Sequence, residues 1–291
     1  MYTTLISVAQ LQSLLEGGQA VRIFDCSSDL AHPELADELF GKERIAGAVQ
    51  AHLDRHLSAK PPAPAVNGGR HPLPPREQVA HWLGTQGLAN GMQAVVYDRN
   101  GGHYCGRLWW MLKWLGHEAV AVLDGGLQAW KASGGALDNG PAIAPAPCRF
   151  ETAPPLRRLL GTAEVAARLQ DPAQTLIDAR APARFRGEVE PLDPVAGHIP
   201  GALNRPFSEN FTPEGFFKPA AQLRQEFESL LGQRQAHTVV HHCGSGVTAL
   251  PNVLAMEIAG LGPTGLYAGS WSEWCNTPDL PCAKGPSGEE L

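Results

Sequence analysis

The chain has 291 residues, 43% of them hydrophobic and 18% charged, enough for one large or two ordinary domains with filled cores. A net charge of −6 without a dense basic patch excludes a nucleic-acid surface, and no stretch approaches the ~20 apolar residues of a membrane span. The N-terminus has no basic region ahead of an apolar one, and the six cysteines form no CxxC pair. We therefore expect a cytoplasmic protein with reduced thiols, not a disulfide framework or a zinc ribbon.

Along the chain, Ser7 with Gln10 three residues later has the pattern of a capping box and predicts a helix through about Glu16. Short β-branched runs predict strands over 21–25, 94–97 and 119–123, then over 175–178, 238–241 and 265–267. "REQVAHWLGTQG" and "AAQLRQEFESLLG" read as matching amphipathic helices, each closed by glycine. Strands alternating with helices imply the α/β class, with a mostly parallel sheet flanked by helices and ligand sites at the carboxyl ends of its strands.

The chain also resembles itself at long period. "VRIFDCSSD" (21–29) aligns with "QTLIDARAP" (174–182), and "AGAVQAHLD" (46–54) with "PGALNRPFS" (200–208). "AVVYD" aligns with "VVHHC", which sets Asp98 against Cys243, and "DGGLQAW" (124–130) aligns with "AGSWSEW" (268–274). Two copies of one domain account for this, over 1–140 and 156–291. The proline-rich stretch 141–155 reads as a linker, since prolines supply no donors to a sheet and bias the chain to extended forms.

Cys243 stands where a ligand site is expected. In "HHCGSGVTAL" a strand passes through Cys-Gly-Ser-Gly-Val-Thr into a helix. The glycines permit a tight curl that can aim successive backbone N–H groups at whatever the sulfur carries, and the positive end of the helix favours negative charge there. Such a sulfur can attack a phosphate, a disulfide or a transferable sulfur. Cysteine phosphatases follow His-Cys, after five residues, with an arginine for the phosphoryl dianion. His242 and Cys243 match that opening, but Ala249 stands at the arginine position. A metal site from His237, His241, His242 and Cys243 is disfavoured because neighbours on a strand point to opposite faces. The other five cysteines read as structural.

Together, "LIDARAPARFRG", "GHIPGALNRPF", "CGSGVTA" and the pair "DGGLQAW"/"GSWSEW" resemble the two-domain rhodanese-like sulfurtransferases over nearly the whole chain. The resemblance implies two tandem rhodanese-like domains, with a non-catalytic first domain in which Asp98 replaces the cysteine. It implies a Cys243 persulfide, no cofactor or metal, and a small-molecule sulfur donor with a thiol such as thioredoxin, or cyanide, as acceptor. The loop is similar to that of 3-mercaptopyruvate sulfurtransferases. Thiosulfate enzymes usually carry cations after the cysteine, and Gly244 and Ser245 supply none. Arg184 matches the arginine that holds the donor's anionic group, with Gly244, Gly246, Val247 and Thr248 lining the donor site. Thr248 is also expected to cap the helix through its hydroxyl. Ser245, His71 and Asp54 match a relay that moves a proton to the departing enolate, with His71 and Asp54 drawn from the first domain. Asp178 and Arg180 read as a structural ion pair. One departure stands out: Leu192 in "VEPLDP" occupies the place of the family's second arginine, and Arg186 is the candidate substitute. Thiosulfate:cyanide sulfurtransferase and a non-catalytic sulfur-carrier or interaction module are the alternatives.

Overall fold

A computed structural model describes residues 1–286 and 289–290. The chain divides into two compact units, and the division does not follow the chain midpoint. The first unit takes Met1–Pro64, Pro74–Leu156 and Phe211–Phe217, and the second takes Ala65–Leu73, Arg157–Asn210 and Lys218–Leu291.

In the first unit β1 (Leu5–Ile6), β2 (Val21–Asp25), β4 (Val49–Gln50), β5 (Gln93–Tyr97) and β6 (Val120–Leu123) form a parallel sheet in the order β1-β6-β5-β2-β4. A small antiparallel pair joins β3 (Arg44–Ile45) to β7 (Leu137–Asp138). The helices are α1 (Val8–Glu16), α2 (Leu35–Lys42), α3 (Arg76–Thr85), α4 (Gly106–Trp114) and α5 (Gly126–Ala132). The capping box forms as expected: Gln10 N–H donates to Ser7 Oγ at 3.2 Å, and Ser7 N–H donates to Gln10 Oε1 at 2.9 Å. Helix α4 is buried along its whole length and carries three tryptophans, which is why it shows no polar face in sequence.

The second unit repeats the architecture. Strands β8 (Arg158–Leu159), β9 (Thr175–Asp178), β10 (Leu203–Asn204), β11 (Val239–His242) and β12 (Gly265–Leu266) form a parallel sheet in the order β10-β9-β11-β12-β8. Read from the other edge, this is the strand order of the first sheet, copy for copy. Its helices are α6 (Thr162–Ala166), α7 (Pro182–Phe185), α8 (Ala220–Leu231), α9 (Leu250–Ile258) and α10 (Ser270–Trp274). The central strands β5 and β11 are buried throughout, as the middle of a parallel sheet requires.

The predicted strands all form, with ends shifted by one residue at β5, β6, β11 and β12. Thr238 closes a 3-10 turn instead of opening β11. Strands β1, β4, β8 and β10 have two residues each, too few to show alternation, and escaped the sequence reading. Stretch 141–155 has no helix or strand and lies against the first unit, where Cys148 N–H donates to the Gly84 carbonyl at 2.9 Å and Ala153 N–H to that of Leu115 at 2.8 Å.

His241 and His242 end β11 with no exposed surface. Burial, and then the neighbouring charge of His242, push the pKa of His241 down to about 3. An unfolded histidine takes up a proton near pH 6.5, so the folded state loses about 1.4 kcal/mol of stability per pH unit as pH falls from there toward the folded value. His241→Phe removes this term. Urea unfolding of the second unit at pH 6.5 and 5.0 should show the variant losing about 2 kcal/mol less than the wild type over that interval. Equal losses would mean that His241 titrates normally in the fold.

Candidate active site

Cys243 follows directly from β11, and the loop 243–249 carries the chain into α9. Helix α10 holds this loop from one side. Trp271 N–H donates to the Cys243 carbonyl at 3.0 Å and Ser272 N–H to that of Gly244 at 2.9 Å. Ser270 Oγ accepts from Cys243 N–H at 3.1 Å and donates to the Tyr267 carbonyl at 3.0 Å. Gly246 has φ +74°, and any Cβ there would run into the Ala268 carbonyl, so the curl needs glycine. Cys243 is 1% exposed, and Val247 is fully buried beneath the loop.

Thr248 does not cap α9. The residue before the helix is Ala249, already at φ −69° and ψ −25°, and no side chain caps the end. The chain enters α9 through a turn in which Leu250 N–H donates to the Val247 carbonyl at 3.3 Å, and a hydroxyl cap needs an extended residue instead.

The first unit shows what such a loop binds. Leu127 N–H donates to the Asp98 carbonyl at 3.0 Å, the same clamp that Trp271 makes on Cys243. The Asp98 carboxylate points into its own loop. Oδ1 accepts from Asn100 and Gly102 N–H, both at 2.8 Å, and Oδ2 from Tyr104 and Cys105 N–H at 2.7 and 2.9 Å. The amide cradle of the first copy is therefore filled by a covalently attached anion. In the second copy, among the described residues, the amides of Ser245, Val247 and Thr248 make no hydrogen bond within the protein.

Above the Cys243 loop lies 65–73, which comes from the first half of the sequence but belongs to the second unit. Arg70 N–H donates to Ser272 Oγ at 3.1 Å, and Gly69, at φ +85°, leaves room for the Gly269 carbonyl. This brings His71 Nδ1 to 2.8 Å from Ser245 Oγ. Asp54 belongs to the first unit, where its carboxylate meets Lys60 Nζ at 2.9 Å.

Arg184 also reaches the loop. A methyl group on Gly244 would lie 3.4 and 3.6 Å from its two terminal nitrogens, and 3.0 Å from Arg70 Nη2. Two guanidinium groups thus converge over Gly244, and Arg70 is the one that the sequence reading missed. The available signal was its place beside His71 in "GGRHPLP". Arg184 is held by Glu190, with Nη2 at 2.6 Å from Oε1 and Nε at 3.2 Å from Oε2, while Arg70 pairs with Asp193. Glu190 Oε2 also lies 3.3 Å from Arg180, whose guanidinium binds Asp178 at 2.7 Å. Burial works against the Asp178 carboxylate, yet the charges of Arg180 and His242 hold its pKa below the usual range. Leu192 is 55% exposed, and its N–H donates to Glu190 Oε1 at 3.0 Å. Arg186 does not take the place of the missing arginine: it pairs with exposed Glu188 at 2.6 Å.

Burial pushes the Cys26 and Cys105 thiols far above their usual range and the Cys275 thiol up to about 11, which keeps them protonated. Cys148 is exposed on the 141–155 stretch. Among the described residues no cluster of His, Cys, Asp and Glu could hold a metal ion, and no helix is long and apolar enough to cross a membrane.

A thiol at the carboxyl end of a parallel strand, set in an amide loop whose twin carries an aspartate, is the arrangement of a duplicated sulfur-transfer fold. The profile of the Rhodanese-like domain matches residues 7–133 and 161–277, and the chain belongs to this family of sulfurtransferase enzymes. It is 44% identical over 284 residues to a protein of Pseudomonas aeruginosa named probable 3-mercaptopyruvate sulfurtransferase, covering 97% of this chain and 98% of that one. It is 32% identical to the thiosulfate sulfurtransferase of Cricetulus griseus, covering 99% of this chain and 98% of that one. Among solved structures, the 3-mercaptopyruvate sulfurtransferase of Leishmania major superposes with a TM-score of 0.81 at 31% identity, covering 96% of this chain and 76% of that one.

The filled cradle gives a prediction. Asp98→Asn keeps the shape but turns an NH2 group toward two donor amides. The first unit should lose about 3 kcal/mol or more in thermal or urea unfolding, because buried donors are left facing a donor. A loss within a few tenths of a kcal/mol would show that the four contacts do not stabilise the loop.

Proposed function

We propose that the enzyme takes the sulfur of 3-mercaptopyruvate onto Cys243 and passes it to a thiol such as reduced thioredoxin, or to cyanide. The Cys243 thiolate attacks the donor sulfur, a sulfur–sulfur bond forms, and the carbon–sulfur bond breaks with its electron pair left on carbon. The resulting enolate takes a proton to become pyruvate. Charge on the outer sulfur is met by the loop amides that, among the described residues, make no hydrogen bond within the protein, those of Ser245, Val247 and Thr248. The acceptor then removes that sulfur and returns Cys243 to the thiolate. The six free cysteines fit a reducing, cytoplasmic setting.

The observation that carries this reading is the His71–Ser245 contact of 2.8 Å, two residues from the nucleophile. A departing enolate must be protonated, and a hydroxyl backed by a histidine can deliver that proton. Sulfite leaving from thiosulfate needs none. Asp54 enters the relay from the family resemblance alone. A second reading, thiosulfate as donor, is favoured by the two guanidiniums over Gly244, which suit a small dianion even though the loop itself is neutral. The third reading, a sulfur-carrier or interaction module, predicts that neither donor loads Cys243.

The test is steady-state transfer from both donors, with the intact mass read for one added sulfur atom. Cys243→Ser should abolish transfer. Ser245→Ala and His71→Gln should lower kcat with 3-mercaptopyruvate by about 10²-fold or more and spare transfer from thiosulfate. Arg184→Ala should chiefly raise the donor KM. A wild type that prefers thiosulfate and ignores the relay substitutions would replace this reading with the second.

A further inference from the structure

We infer that Arg70 supplies the second guanidinium of the donor site, in place of the arginine that the 189–194 segment lacks, and that Asp193 is its positioning residue. The inference rests on the reading of Cys243 as the sulfur-accepting nucleophile and names the group that recognises the donor's carboxylate. Arg70 Nη2 and Arg184 Nη1 lie 3.0 and 3.4 Å from the same point above Gly244, next to the nucleophile. Two like charges held at one point favour an anion between them, and two guanidiniums offer a carboxylate both of its oxygen partners.

The placement is built into the fold. The Asp193 side chain is 3% exposed; one of its oxygens meets Arg70, and the other lies 3.6 Å from Arg184 Nη2. Its own N–H donates to Glu190 Oε1 at 3.2 Å, so the carboxylates that hold the two arginines are tied together. Ser272 fixes the Arg70 backbone, and the same residue's N–H holds the Gly244 carbonyl. The guanidinium and the loop below it are thus referenced to one residue of α10. Glycine at 244 is part of the same device, because a side chain there would take the space into which both arginines reach.

Alkylation of Cys243 tests this without assuming any donor. Iodoacetate and iodoacetamide both alkylate the sulfur with loss of iodide, and they differ in that only the first carries a carboxylate. The ratio of their rates at the Cys243 peptide, followed by mass spectrometry, reads the anion site, and the iodoacetamide rate alone reports the fold and the thiol. Arg70→Gln should lower the ratio about tenfold or more, comparable to Arg184→Gln. Arg70→Lys should recover part of it, and Asp193→Asn should lower it in the same direction. A ratio that Arg70→Gln leaves unchanged, whether both rates hold or both fall together, overturns the assignment. Failure of the donor reading would instead appear as a wild type that does not accept sulfur from 3-mercaptopyruvate, whatever the alkylation ratio.

Discussion

The second unit depends on a run of alternating charge that is fully buried at one end and partly exposed at the other. Asp178, at the end of β9, binds Arg180, Arg180 reaches Glu190, Glu190 holds Arg184, and Asp193 joins Arg184 to Arg70. Three carboxylates and three guanidiniums alternate, so no member is left as an uncompensated charge, the condition under which ions are tolerated away from water. Arg180 also lies over the Trp271 ring, 4.9 Å from its centre, which couples the run to α10 and hence to the Cys243 loop. The run starts in the sheet and ends above the nucleophile. Its geometry is therefore set by the most rigid part of the unit.

This explains why a segment that lacks an arginine is not short of cations. "VEPLDP" contributes acids, Glu190 and Asp193, and the acids recruit the cations from elsewhere. The neutral loop is a consequence of the same arrangement: with Arg70 and Arg184 reaching over Gly244, the loop has neither space nor need for its own charge.

Much of this was legible in sequence. The repeat gave the two sheets, the alignment of Asp98 with Cys243 is reproduced by the paired clamps of Leu127 and Trp271, and the capping box placed α1 to the residue. These features are local, or recur at a fixed offset. Arg70 was legible only as the neighbour of His71 in "GGRHPLP"; its pairing was not, because Asp193 lies 123 residues away and no periodicity links them. The sequence comparison draws the eye to Leu192, whose side chain faces solvent, and passes over the neighbouring Asp193, which pairs with Arg70. The hydroxyl cap expected of Thr248 failed for a different reason: backbone dihedrals at a helix entry depend on what clamps the preceding loop, here α10, which a local motif does not contain.

The two loops also differ in when they are complete. The Asp98 loop carries its anion permanently, so its amides are satisfied at all times and nothing can be exchanged there. In the proposed cycle the Cys243 loop meets its full complement of acceptors only while a second sulfur is bound. One copy is thus a finished structural element, and the other is a socket.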